Sequence, residues 1–109
     1  MVDDVGPMFE ALADPTRRRV VQLLSQGPKR AGEISGSAGV SGPRMSRHLR
    51  VLLEAGVVVD ERPPGDARVR MFRLRPDSIV AVQAWLDQVH AHWSEQLHSF
   101  KRHVEEGRS

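Results

Sequence analysis

The sequence of 109 residues contains no cysteine, which excludes a disulfide framework, a thiolate metal site and thiol redox chemistry. It also lacks any apolar run close to the ~20 residues that a membrane-spanning helix needs. The first residues, MVDDVGPMFEAL, are acidic where a secretion signal would be basic, so we expect a cytoplasmic protein. With 39% hydrophobic and 28% charged residues, the composition is that of an ordinary folded domain. The length predicts a single domain over residues 1–109.

The formal net charge of +2 is small and gives by itself no indication of a polyanionic partner. The charges are unevenly distributed, however. Residues 1–14 hold four acids and no base, residues 15–75 hold thirteen bases and five acids, and residues 76–109 hold three bases and five acids. The three segments therefore carry charges of −4, +8 and −2. A basic middle between acidic ends is typical of a compact nucleic-acid-binding domain, although charge alone does not exclude an ordinary solvated surface.

Apolar spacing and the positions of proline and glycine predict four helices in the first half of the chain. A helix over about residues 5–13 is followed by a second helix that starts at Pro15, after an Asp N-cap, and ends at a Gly-Pro pair at residue 27. A weak helix over 31–38 and a stronger helix over 41–55 are separated by a short turn. Two successive helices joined by a turn form a helix-turn-helix over residues 31–55.

The hydrophobic period changes after Gly56. Two β-rich runs, residues 57–62 and 68–74, are joined by a Pro-Pro-Gly-Asp-Ala turn and predict a two-stranded hairpin. Pro76 then starts a long helix that reaches about residue 105. The predicted fold is therefore mainly α with a two-stranded β-hairpin, in the order of a winged helix-turn-helix with a wing over 57–74.

The helix over 41–55 has the surface that a DNA-reading helix requires, because its outward face is basic and its opposite face is apolar. Arg44 and Arg47 lie one turn apart near its N-terminal end, and arginine can bind O6 and N7 of guanine bidentately. The serines and Arg50 are better placed for phosphates. Exposed charged faces are common on helices, but the preceding turn and the following basic hairpin favour DNA recognition. The predicted contacts of this recognition helix are Ser41, Arg44, Ser46, Arg47, His48 and Arg50.

The hairpin is predicted to act as the wing. Arg62, Arg68 and Arg70 flank its rigid tip, and such a loop can lie along a phosphate ridge or enter a minor groove. The alternative is an exposed hairpin that uses arginines to protect its edges. The three consecutive arginines 17–19 point around a helix, so at most two face DNA, and Arg17 has Asp14 as an alternative partner.

Short motifs along most of the chain resemble one family. The segments are FEALADPTRRR at 9–19, GEI at 32–34, VS at 40–41, SRHL at 46–49, Leu52 and EAGVV at 54–58. Together they look like the ArsR/SmtB family of bacterial winged-helix repressors, from about residue 7 to 105. The resemblance implies a homodimer that binds double-stranded DNA at an operator with imperfect two-fold symmetry. Such proteins usually repress their own gene or operon.

The chain departs from the family pattern in its reading surface. Arg47 stands where the family often has glutamine, and glycines at 36, 39 and 42 are additional. These departures concern the operator sequence and leave the DNA-binding role intact. Because the chain has no cysteine, the family's cysteine-based metal and persulfide sensors are excluded, and no inducer is identified.

The last helix is predicted to form a dimer. At ~1.5 Å per residue it is ~45 Å long, whereas a compact domain of this size has a radius of gyration of ~13 Å. Its apolar residues alternate in steps of three and four, as in a helix-pairing seam, and both tryptophans lie on it. The alternative is that the stripe covers only its own core, which its length disfavours. The first helix offers further apolar surface. The predicted interface consists of Met8, Phe9, Leu12, Ile79, Val82, Leu86, Val89, Trp93 and Phe100.

The same helix carries histidines that suggest a metal site. Zinc sites of some family members on this helix have a comparable spacing. The candidate ligands here are His90, His92, His103 and Glu106. However, the family's first two ligands directly follow the wing, where this chain has a Pro-Asp-Ser sequence at 76–78. We therefore predict polar surface histidines, no bound metal and no cofactor, and keep zinc or nickel sensing as an alternative.

The sequence thus predicts a DNA-binding transcriptional regulator. No nucleophile, general base and orienting group recur in a recognisable arrangement, so we predict that the protein is not an enzyme. The leading hypothesis is a homodimeric repressor bound to an inverted-repeat operator, with the inducer unknown. The alternatives are a metal-responsive repressor and a protein-interaction module without sequence-specific DNA binding.

Overall fold

The computed structural model describes residues 4–107. Within this range the chain forms five helices and three short strands. In chain order they are α1 (Gly6–Ala11), α2 (Pro15–Leu24), β1 (Lys29–Arg30), α3 (Ala31–Ala38), α4 (Gly42–Glu54), β2 (Val58–Glu61), β3 (Met71–Leu74) and α5 (Pro76–Glu106). The predicted mainly helical winged helix-turn-helix is confirmed.

The start of α2 follows the predicted capping chemistry. The Asp14 carboxylate accepts hydrogen bonds from the backbone N–H groups of Thr16, at 2.8 Å, and Arg17, at 3.1 Å. Two of the free N–H groups at the helix start are thereby satisfied. Pro15 occupies the first helical position, where no donor is needed.

Helix α1 ends two residues earlier than the predicted residue 13. Arginine side chains from the next helix satisfy the carbonyls at its end, so no further helical turn is required. Nη1 of Arg18 donates to the carbonyl oxygens of Leu12 and Ala13, at 2.9 and 3.0 Å. Nε of Arg17 donates to the carbonyl oxygen of Ala11.

Helices α3 and α4 form the predicted helix-turn-helix. Gly39 ends α3 in the left-handed conformation at φ 68°, which glycine adopts without the steric cost of a side chain. Ser41 then caps α4, because its Oγ accepts a hydrogen bond from the backbone N–H of Arg44. The turn therefore consists of the three residues 39–41, of which the first ends α3 and the last caps α4.

The sheet has three strands where the sequence predicted two. Its order is β1-β3-β2, and both pairings are antiparallel. Lys29 pairs with Phe72 and Arg30 with Met71 in the additional contact. A strand of two polar residues has no hydrophobic period, so only its pairing with β3 identifies it.

The hairpin strands are shorter than predicted, and the connecting loop runs from Arg62 to Arg70. Two prolines in this loop have no N–H group to donate to a partner strand. The Asp66 side chain accepts from the N–H of Arg68 at 3.1 Å, and its carbonyl accepts from Val69 at 3.3 Å. These local turns use backbone groups that a longer hairpin would have paired between strands.

The hydrophobic core lies between helices α1 to α4 and the sheet. It contains Met8, Ala11, Val20, Leu23, Leu24, Ile34, Met45, Leu49, Leu52, Val57, Val58 and Phe72. The predicted apolar face of α4 and the buried side of α2 both contribute to it. Met8, which the sequence assigned to the dimer interface, is only 1% exposed and packs in the core of its own chain. This assignment was wrong, since a side chain already buried has no surface to offer a second chain.

Helix α5 starts on the domain and extends well beyond it. Buried Ser78 anchors its first turn by donating a hydrogen bond from Oγ to the carbonyl oxygen of Gly56. Every residue from 90 to 107 is exposed, and the molecule measures 72 × 29 × 21 Å. Within residues 4–107, no helix is both long and apolar enough to cross a bilayer.

Candidate DNA-binding surface

The outward face of α4 carries exposed arginines without acidic partners. Arg44, Arg47 and Arg50 are exposed, and none of them forms an ion pair or a side-chain hydrogen bond with residues 4–107. The only acid on α4 is Glu54, at its last position. The positive charge on this face is therefore not compensated from within the described chain, as a surface that binds phosphates and base edges requires.

His48 lies at one edge of this face and is joined to α2. Its Nδ1 is 3.3 Å from Nη1 of Arg17 and 4.0 Å from Oδ1 of Asp14. A guanidinium can only donate, so in this contact Nδ1 is the acceptor when the proton of the neutral ring lies on Nε2. Arg17 thus contacts His48 and the end of α1 and does not form the ion pair with Asp14 that the sequence suggested as an alternative. His48 is partly buried, and Arg17 enters the site from α2.

Arg17, Arg44, Arg47, His48 and Val51 line one shallow concavity of about 250 Å³. Burial raises the pKa of the Asp14 carboxyl beside it, but hydrogen bonds from the Arg17 and Thr16 amides and the charges of His48 and Arg17 lower this pKa overall. The ionised Asp14 therefore caps the start of α2 close to His48 at the edge of the basic face of α4.

The serines have different surroundings. The Ser41 hydroxyl oxygen caps α4, but its O–H remains able to donate to a phosphate. The Ser46 side chain is exposed and forms no hydrogen bond with residues 4–107. Both serines lie on the exposed side of α4, as the sequence predicted, and their phosphate contacts stay a prediction.

The three wing arginines are not equivalent. Nη1 of Arg62 donates to the carbonyl oxygen of Ala67 at 2.6 Å and so closes the loop across its base. Nε of Arg70 donates to Oδ2 of Asp60 at 2.7 Å. Arg68 is exposed, and its side chain forms no hydrogen bond or ion pair with the described residues. Arg68 is therefore the wing arginine with all of its donors available for DNA.

Arg70 is fixed at the base of the wing. Its guanidinium carbon lies 4.9 Å from the centre of the Phe72 ring, in a cation–π arrangement. The hydrogen bond and charge of Arg70 lower the pKa of Asp60 below its usual range. Arg70 and Phe72 are two residues apart, as expected for side chains on one face of a strand, but no sequence pattern indicates the pairing of Arg70 with Asp60.

A second surface of interest is the apolar side of α1 and α5. The rings of Phe9 and Trp85 meet edge to face, with centres 5.1 Å apart, and so connect the two helices. Leu12, Val82 and Val89 are partly buried. The large exposed apolar side chains of α5 are Ile79, Val80, Trp85, Leu86, Trp93, Leu97, Phe100 and Val104. The surface predicted for the dimer is thus largely solvent-exposed in one chain.

The histidines of α5 do not converge within one chain. Across residues 4–107, no three His, Asp or Glu side chains lie close enough together to hold one metal ion. His92 and His103 are eleven residues apart on a helix, which separates them by about 16 Å along its axis. His90 and Glu106 lie on the same exposed half of α5. A shared ion would therefore need ligands from a second chain, and the metal alternative stays a prediction.

The chain is similar to known proteins in both sequence and architecture. A model of bacterial regulatory proteins of the arsR family matches residues 14–59. The HTH-type transcriptional regulator Rv2034 of Mycobacterium tuberculosis is 37% identical over 97 residues, which cover 89% of this chain and 85% of that protein. The crystal structure of the ArsR family transcriptional regulator RHA00566 has a TM-score of 0.73 at 31% identity, with 83% of this chain and 96% of that chain covered.

A solution structure of Mb0332 from Mycobacterium bovis, described as a homodimeric winged helix-turn-helix DNA-binding domain, superposes with a TM-score of 0.64. It is 23% identical, and the match covers 84% of this chain and 82% of that chain. The fold and these similarities identify a winged helix-turn-helix transcriptional regulator. The chain belongs to the ArsR family of bacterial regulatory proteins.

Proposed function

We propose that the protein is a homodimeric, cytoplasmic repressor that binds an inverted-repeat operator of its own operon. The observation that carries this proposal is the uncompensated positive face of α4. An ordinary charged helix face mixes acids and bases, whereas Arg44, Arg47 and Arg50 have no acidic partner within residues 4–107. Arg44 and Arg47 read base edges in the major groove, and Arg68 of the wing follows the adjacent backbone.

The dimer is supported by the exposed apolar side of α5. Trp93 and Phe100 are 61% and 67% exposed, an unfavourable arrangement for an isolated chain in water. A two-fold related copy covers such a stripe and places two copies of α4 on one face of DNA. The winged helix-turn-helix domain of Mb0332, which has the same fold, is homodimeric, in agreement with this arrangement.

The first experiment is a selection of binding sites from random double-stranded oligonucleotides, with and without a chelator. We expect an inverted repeat, and affinity for it that falls steeply as salt concentration rises. The absence of any enriched sequence would support a protein-interaction module. A repeat that is enriched only with the chelator, or only without it, would support the metal-responsive alternative. A reporter fused to the promoter next to the gene then tests repression.

The second experiment reverses two charges on α4. The Arg44→Glu/Arg47→Glu double variant is expected to bind the selected operator at least about 100-fold more weakly, because two bidentate contacts are lost and two repulsive charges face DNA. Both side chains are exposed, so the fold and the dimer should persist. The measurement is fluorescence anisotropy with labelled operator.

The matched control is Lys101→Glu/Arg102→Glu, which makes the same change in net charge on exposed positions of α5. It should bind operator nearly as well as the wild type. Equal losses in the two double variants would mean that overall charge, and not the α4 face, determines binding.

A further inference from the structure

A cavity of about 320 Å³ lies between α4 and the base of the wing. We call it the α4–wing cleft. Its apolar lining comes from Leu49 and Leu53 of α4 and from Phe72 of β3. Its polar side chains are Ser46, Arg50 and Arg70, all of which are hydrogen-bond donors. No carboxylate from the described residues lines the cleft, so its chemistry fits an anion.

Arg70 is held in a fixed orientation at this cleft. Asp60 accepts from its Nε, and the guanidinium lies over the Phe72 ring. The two terminal amino groups of Arg70 have no acceptor among residues 4–107, so their N–H groups remain available to donate to a ligand. An arginine positioned in this way loses less conformational entropy when it binds an anion than an arginine free in solvent.

Helix α4 supplies the opposite side of the cleft. Ser46 and Arg50 are one helical turn apart and therefore point in similar directions. Neither side chain has a hydrogen-bond or ion-pair partner in the described part of the chain. Asp60 does not line the cleft but pairs with Arg70, so Arg50, Arg70 and Asp60 together carry a charge of +1, which is complementary to the single negative charge of a phosphodiester.

The position of the cleft indicates which phosphate it faces. If α4 lies in the major groove and the wing reaches the adjacent minor groove, the DNA strand that separates the two grooves passes between them. We propose that the α4–wing cleft binds one backbone phosphate of this strand through Ser46 and Arg50 of α4 and Arg70 of the wing. The proposal rests on the proposed DNA-binding function and assigns Arg70 to a joint contact with α4, apart from the wing tip.

The test is a double-mutant cycle on operator binding at several salt concentrations. Arg50→Ala and Arg70→Ala should each weaken binding roughly 10-fold, equally for specific and unrelated DNA. Each should reduce the slope of log affinity against log salt by about 0.9, the value for one phosphate contact. The double variant should lose less than the product of the two single losses and show the same slope reduction as either single variant, because only one phosphate is involved.

A neutral methylphosphonate at single backbone positions of the operator provides an independent measurement on unaltered protein. One position per half-site should weaken wild-type binding and have no effect on the Arg50→Ala/Arg70→Ala variant. As a control, Arg68→Ala combined with Arg50→Ala should give a loss equal to the product of the single losses, since Arg68 does not line the cleft.

Three results would overturn the proposal. The first is that the variants of Arg50 and Arg70 combine multiplicatively and their slope reductions add. The second is that no methylphosphonate position distinguishes the wild type from the double variant. The third is saturable binding of inorganic phosphate to the free protein that the double variant loses, without any methylphosphonate effect, which would make the cleft a site for a free anion. If these results occur while Arg44→Glu/Arg47→Glu still shows its expected loss of operator affinity, the cleft assignment fails and the proposed function stands. Absence of DNA binding by the wild type would refute both.

Discussion

Asp14 lies where three parts of the chain meet: the end of α1, the start of α2 and His48 of α4. Its carboxylate accepts from two backbone N–H groups and is 4.0 Å from the His48 ring nitrogen. The sequence predicted the cap because Asp followed by Pro is a strong local signal for a helix start. It did not predict the proximity of His48, which is 34 residues away in the chain and is brought there only by the packing of α4.

Asp14→Ala is expected to lower the free energy of unfolding at pH 7 by about 1 kcal/mol, since two helix-start donors lose their acceptor. Asp14→Asn, which can also cap, should lose only a few tenths of this amount. Urea unfolding at one fixed protein concentration measures both. A loss in Asp14→Asn as large as that in Asp14→Ala would show that charge, and not the cap, stabilises this junction.

The same position predicts a dependence on pH. The pKa of Asp14 in the folded protein lies below its ordinary value of 3.8, so the ionised form favours folding. This contribution is fully present well above pH 3.8 and is lost as pH falls through the lowered folded pKa. The advantage of the wild type over Asp14→Asn should therefore shrink between about pH 5 and pH 2. Parallel stability curves for the two proteins over this range would contradict the assignment.

At the scale of elements, helix α3 has a glycine in its interior, Gly36, and another directly after its last residue, Gly39. The two glycines have different roles in the helix. Gly36 lies inside the helix in an ordinary conformation, and a Cβ at this position would meet no atom within 4 Å. Gly39 has similar free space, but its φ of 68° belongs to the left-handed region that ends the helix. Free space is thus equal at the two positions, and backbone conformation distinguishes them.

Gly36→Ala is expected to raise the free energy of unfolding by about 0.5–1 kcal/mol, because alanine loses less conformational entropy in a helix. Gly39→Ala should lower it by about 1 kcal/mol or more, because an L side chain is strained at positive φ. Thermal and urea unfolding of the two variants give opposite shifts if this reasoning holds. Destabilisation by Gly36→Ala would indicate that α3 packs against a partner at this position.

The elements differ in how far the sequence predicts them. Helix α5 was predicted to within one residue of its observed end because a regular apolar stripe continues without an internal proline or glycine. Strand β1 was missed because Lys29 and Arg30 form a strand only through their pairing with β3. The recognition helix was predicted from its two contrasting faces, whereas the roles of Arg62 and Arg70 depend on contacts across the wing that a local pattern does not encode.

At the scale of the whole molecule, one chain is more extended than a compact domain of its length. Its radius of gyration is 19.5 Å, whereas a compact domain of this length has a value of about 13 Å. The difference arises from α5, whose residues from 90 to 107 are all exposed. Within residues 4–107 the basic face and the apolar stripe belong to different elements, so pairing and DNA binding can be separated by substitution.

Trp93→Glu is expected to convert the dimer to a monomer at micromolar concentration, because it places a charge at the centre of the apolar stripe, where a paired helix would bury it without a partner. Gln88→Glu is the control, since it adds the same charge at an exposed position of α5 that lies about 140° around the helix from Trp93. Sedimentation equilibrium should give twice the chain mass for the wild type and the control, and the chain mass for Trp93→Glu.

The consequence for DNA follows from two-fold symmetry. In a dimer, binding of the first half-site of an inverted repeat holds the second chain close to the other half-site, so the second binding event is intramolecular. Two separate monomers must bind the two half-sites independently, which lowers the affinity for the full operator. Trp93→Glu should therefore bind the full operator roughly 100-fold more weakly than the wild type while its affinity for a single half-site stays unchanged. A monomeric Trp93→Glu that keeps full operator affinity would mean that one chain occupies the operator alone. In that case the α5 stripe would serve another interaction, and the inverted-repeat assignment would have to be abandoned.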